Sequence, residues 1–196
     1  MEYDIEYYER VFERITIFTE ILYGVIIVDV IAHLAQTILE PLIHTSELLF
    51  LATALAVIVD DWLRYTIYRY ELWLSIEREY RQRHNILSIL ITMIILDTIM
   101  LIIYYVSITT MTVYSNIILA YMALSMFYTV SLVWTLHLFK ELDYIDIACI
   151  VLFLVQSIIL SQVVRSSITI SIVQTIFLAM YIIVKTIEWR IIMREH

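Results

Sequence analysis

The sequence predicts an all-α, polytopic integral membrane protein with six transmembrane helices, and three observations lead there. Of the 196 residues, 62 % are hydrophobic and 16 % charged, which leaves too little polar surface for a water-soluble fold of this size. Apolar runs recur at a length of about 20 residues, what a helix needs to cross roughly 30 Å of hydrocarbon. One Gly and one Pro supply neither the turns nor the alternation that a transmembrane barrel requires.

Six spans follow in order, at about 15–39, 47–69, 86–106, 112–138, 145–164 and 168–190. Pro41 ends the first or starts the turn after it. Ser46 with Glu47 opens the second, Asn85 the third and Asp143 the fifth, each a side chain that satisfies free amides at a helix start. Every connection is short except about 70–85, so residues 1–196 are expected to form a single transmembrane domain. The acidic, aromatic N-terminal stretch MEYDIEYYERVFER lacks a basic segment before a short apolar core, so no cleaved signal peptide is expected. Cys149 is the only cysteine, which excludes an intrachain disulfide. With six spans, Arg10, Arg14, Arg64, Arg69, Arg78, Arg81, Arg83, Lys140, Lys185, Arg190 and Arg194 share one membrane side, and only Arg165 lies on the other. Basic residues gather on the cytoplasmic side, so both termini are expected there. A net charge of −8 argues against a nucleic-acid partner.

The first span carries an unusual stripe. At about 100° per residue, Phe18, Leu22, Val25, Asp29, His33, Gln36 and Glu40 share one helix face. The first three are apolar and the last four polar. Copies of such a face around an axis would form a hydrophobic constriction at Phe18, Leu22 and Val25, below an acidic outer vestibule at Asp29, His33, Gln36 and Glu40 that concentrates cations. Glu20, Gly24, Ile27 and Ile31 lie opposite and are expected to pack against the other helices.

A charge within a membrane costs roughly 2.5–3.5 kcal/mol on insertion scales, so each needs an account. Glu20 and Arg64 lie at similar depth and are expected to pair, and Asp60 reaches Arg64 at i+4. Trp62, Tyr65 and Tyr68 form an interface belt or donate hydrogen bonds to Asp60 and Asp61; this group reads as structural. Asp97 falls near mid-membrane with no ionic partner in its own helix. It is either a neutral, hydrogen-bonded acid or a group that handles protons or cations. Gln156 and Gln174 are expected to hydrogen-bond between helices. Asp29, His33 and His44 have a spacing that also permits a metal site.

Several chemistries are excluded. No phosphate-binding glycine loop, H-E-x-x-H or G-x-S-x-G motif is present, and no catalytic residues or cofactor are expected. Serines in apolar helices are expected to bond back to their own helix. The chain has no T-V-G-Y-G filter, and no helix repeats arginine at every third position as a voltage sensor does.

The segment Arg14-x-x-x-Phe18-Thr19-Glu20 resembles the R-x-x-x-F-S-D signature that opens the first helix of the transmembrane-protein-175 family, endolysosomal potassium channels and their prokaryotic relatives. Thr19 and Glu20 replace Ser and Asp, and Asp29 stands where that family is usually apolar. The resemblance implies a homotetramer with first helices lining a pore, conducting K⁺ in preference to Na⁺, and H⁺. Arg14, Phe18, Thr19 and Glu20 would then tie helix one to its neighbours, with Asp61, Trp62 and Tyr65 the candidates for their polar partners, and Val25 would occupy the constriction. The functional expectation is a homo-oligomeric, membrane-embedded K⁺ or H⁺ channel or leak, with inorganic cations and lipid as its partners. The alternatives are a non-transporting scaffold subunit of a larger membrane complex and a metal-binding membrane enzyme subunit.

Overall fold

The computed structural model describes residues 5–39, 45–83, 86–139, 143–163 and 166–195. Glu40, Pro41, His44, Asn85, Lys140 and Arg165 lie outside the described residues, as do the side chains of Tyr68, Arg78, Arg81, Arg83 and Arg194. Among the described residues the fold is all-helical: α1 Ile5–Leu39, α2 Thr45–Arg83, α3 Ile86–Thr112, α4 Ile117–Phe139, α5 Tyr144–Val163 and α6 Ser167–Glu195.

Five of these helices, α1 and α3 to α6, are long and apolar enough to cross a membrane. The second differs because Glu47, Asp60, Asp61 and Arg64 interrupt its apolar stretch. It is instead the inner helix. It touches α1, α3, α4 and α6, and Phe50, Leu51, Ala54, Val57 and Ile58 have no exposed surface at all. Tyr104 on α3 donates to the Ala54 carbonyl at 2.6 Å, a bond that pins α3 to this helix.

Aromatic rings fill the remaining interior. Phe153 stacks on Tyr121 and Tyr128 at centroid distances of 6.0 and 5.8 Å, and the Tyr128 hydroxyl meets that of Tyr181 at 2.9 Å. The helices are thus held apart by rings rather than drawn together on glycines. Gly24 itself faces outward, and a Cβ there would meet nothing within 4 Å.

The helix ends alternate along the bundle. Phe12, Leu72, Ile86, Leu90 and Met93 form a second core at one end, with Trp134 and Phe139 packed against it. The start of α1, end of α2, start of α3 and end of α4 therefore meet there. Asp143 at the start of α5 and Glu188 near the end of α6 reach Arg64 at the same end.

Local signals set the breaks. The Asp143 carboxylate accepts from the amides of Ile145 and Asp146 at 2.8 and 3.2 Å, as its cap role predicts. A second cap was not anticipated: Asn116 accepts from the Leu119 amide at 3.1 Å, preceded by Ser115 in the left-handed region at φ 50°. Serines and threonines mostly bond back one turn, for example Ser157 to Phe153 at 2.8 Å and Ser171 to Ser167 at 3.1 Å.

Two expectations are corrected. Residues 70–83 are not a connection but a continuation of α2, because Leu72 and Trp73 carry the apolar face onward into the end core. The packed face of α1 is also not centred on Glu20, Gly24, Ile27 and Ile31, of which only Ile27 packs against the core. It runs through Phe12, Thr16, Thr19, Tyr23, Val30 and Thr37, all buried, while Gly24 and Ile31 are exposed. At about 100° per residue this is roughly a quarter-turn from both the stripe and its opposite face. Lipid is as apolar as a packed side chain, so polarity alone does not reveal which side of a membrane helix is buried.

Candidate functional site

Arg64 is the hub of a buried charge cluster. Its guanidinium lies 3.0 Å from Glu188, 3.3 Å from Asp146, 3.4 Å from both Asp61 and Asp143, and 3.9 Å from Asp60. Lys185, over the Tyr128 ring at 5.2 Å, completes the set at 2.8 Å from Glu188 and 3.0 Å from Asp60. Neutral donors satisfy more of the oxygens. Trp189 donates to Asp60 at 2.8 Å, Ser131 to Asp146 at 2.8 Å, and the Tyr23 hydroxyl to Asp61.

Only Arg combines a permanent charge with a planar fork wide enough to serve carboxylates from three helices at once. Five carboxylates surround two cations, a formal excess of three negative charges. In a low-dielectric interior such an excess must be met by bound protons or by further cations.

Beside the cluster lies a cavity of about 460 Å³, to which all six helices contribute. Asp61, Arg64, Asp143 and Glu188 form its charged side, and Tyr144, 76 % exposed, shares its lining. Asp97 also lines the cavity, with 7 % of its surface exposed. It accepts a long hydrogen bond from Thr19 at 3.5 Å and has no ion-pair partner among the described residues. Next to it an aromatic file runs Tyr23, Tyr65, Trp134, Phe139, with successive centroids 6.0, 6.4 and 6.0 Å apart.

The expected site residues are therefore split between two places. Glu20 does not pair with Arg64; it lies 3.4 Å from Arg69, because Arg64 is turned inward onto acids from α5 and α6. Thr19 of the signature segment is buried against Asp97, while Arg14 and Phe18 are exposed. Along the stripe, Phe18 and Val25 are about three-fifths exposed and Gln36 is exposed, with Leu22 half-buried. Asp29 and His33 stand 3.9 Å apart, their side chains 42 and 39 % exposed. The protomer leaves Phe18, Val25 and Gln36 uncovered, covers Asp29 and His33 in part, and packs Leu22 against its core. Of the metal candidates, Asp29 and His33 lie together and His44 is outside the described residues; no cluster of three potential ligands occurs among those described.

Tyr65 is buried, Trp62 half-buried, and neither donates to Asp60 or Asp61; Trp189 and Tyr23 take that role. Gln174 does bond between helices, to the Ser46 carbonyl at 2.8 Å and the Tyr121 hydroxyl at 3.3 Å. Gln156 is buried with no partner for its amide within ordinary hydrogen-bond limits.

Sequence reasoning missed Asp146, Lys185 and Glu188 as cluster members and read Asp143 only as a cap. The signal was present, since Lys185 and Glu188 fall inside the span expected at 168–190, where charge needs a partner. No family model matches the chain, and no characterised protein or solved structure shows significant similarity to it.

Proposed function

We propose that the protein is a homo-oligomeric cation channel or leak, K⁺ or H⁺ being the permeant ion and a tetramer the favoured assembly, with α1 around the axis. The observation that supports this is the exposed part of the stripe, Phe18, Val25 and Gln36, with Asp29 and His33 half-exposed between them. Asp29 and His33 stand part-exposed in the apolar stretch of α1, where lipid would leave them unsolvated. Copies of α1 facing one another would give them water, and would bring Phe18 and Val25 together as a constriction that closes by dewetting.

In this reading α2 is the sixth crossing helix, screened from lipid by its neighbours, so its carboxylates meet Arg64 and Lys185 rather than hydrocarbon. Six crossings with basic residues gathered at one end give cytoplasmic termini. The likeness of Arg14-x-x-x-Phe18-Thr19-Glu20 to the transmembrane-protein-175 signature agrees with this assembly.

The test is flux in liposomes reconstituted with the purified protein. The wild type should pass K⁺ or H⁺, Val25→Ala or Val25→Asp should raise the rate, and Asp29→Asn should lower it. Silent vesicles together with unchanged variants remove the proposal. A complex that purifies with foreign subunits on the α1 face points instead to a scaffold.

A further inference from the structure

We propose that the cavity between the Arg64 cluster and Asp97 is a binding site for an organic monocation, a substituted or quaternary ammonium ion. Two independent features of its walls agree. The first is charge: Asp61, Glu71, Asp97, Asp143 and Glu188 line the space and Arg64 is the cation facing them, already engaged with Asp61, Asp143 and Glu188. Asp97, hydrogen-bonded to Thr19 but without an ion-pair partner among the described residues, is the carboxylate that would meet an incoming positive charge.

The second is the aromatic file. Tyr65 and Trp134 flank the Asp97 side of the cavity and continue into Tyr23 and Phe139. Aromatic faces attract a cation through their quadrupole and do so best when water is excluded. An alkylated ammonium ion, weakly hydrated and partly apolar, suits such walls better than a small metal ion, which needs several oxygens at short range. No group of three ligating side chains stands close enough to hold a metal among the described residues.

The space itself, at about 460 Å³, is large enough for a small organic molecule, within the ordinary range of about 300–1,000 Å³ for ligand sites.

The test uses the full chain in detergent micelles, with benzyltrimethylammonium as probe and its uncharged carbon isostere, neopentylbenzene, as control, followed by calorimetry. The wild type should bind the ammonium ion saturably and bind the isostere at least about tenfold more weakly. Asp97→Asn and Trp134→Leu should each weaken the ammonium ion by about tenfold or more while the far-ultraviolet spectrum and elution volume stay unchanged. Tyr65→Phe, which keeps the ring, should retain most of the affinity. Equal binding of the isostere, unchanged affinity in both variants, or no saturable binding by folded wild type would overturn the assignment. Ion flux in liposomes plays no part in this readout, so its outcome is separate from that of the channel proposal.

Discussion

Arg64 shows how one residue can decide the stability of a membrane interior. Its guanidinium sits among carboxylates from α2, α5 and α6 with 10 % of its side chain exposed. Removing one partner of a buried charge network leaves the others unpaired, a loss of about 3–5 kcal/mol. Arg64→Leu should therefore lower the unfolding midpoint in detergent steeply. Arg64→Lys should fall between, because an ammonium serves fewer carboxylates at once. Adding Glu188→Gln to Arg64→Leu should recover part of the loss, since one stranded charge is then gone. A double variant no better than the single would show that repulsion among the acids is not what destabilises it. At Asp143, replacement by Ala should cost more than the roughly 1 kcal/mol of a lost cap, because the same carboxylate also faces Arg64.

At the scale of elements, α1 has one buried side and one bare side, and the two can be told apart chemically. Tyr23 and Val30 are buried, while Val25 is 61 % exposed. With Cys149, the one native thiol and buried, replaced by Ala, single cysteines can be scanned along α1. Oxidation in membranes should join copies through Val25→Cys and Phe18→Cys and leave Val30→Cys monomeric. Linkage at Val30 instead would mean that the bundle opens and that the stripe is not the meeting face. The second helix makes the complementary point. Its Asp60, Asp61 and Arg64 would be costly against lipid, and they are tolerated because four other helices wrap it.

For the whole molecule, the alternation of helix ends is the property that matters. One end gathers the Arg64 cluster, the Phe12–Leu72 core and the cavity; at the other, Gln174 of α6 bonds to Ser46 at the start of α2. Reporter fusions at the two termini should report the same, cytoplasmic, compartment if α2 crosses as the sixth helix. Opposite compartments would mean that only the five apolar helices span.

The sequence by itself determined the class, the number of helices and most of their ends, because hydrocarbon demands continuous apolar runs with internally bonded backbone. It also marked Asp97 and the Asp60–Arg64 group as needing an explanation. Only the tertiary structure decided that Arg64 turns to Asp143, Asp146 and Glu188 rather than Glu20, and that Tyr23 and Val30, not Gly24 and Ile31, are the inner side of α1. The reason is the solvent. In water, polarity separates outside from inside along a helix; in lipid both sides are apolar, and the choice passes to shape and to distant charges that meet only once the bundle has closed.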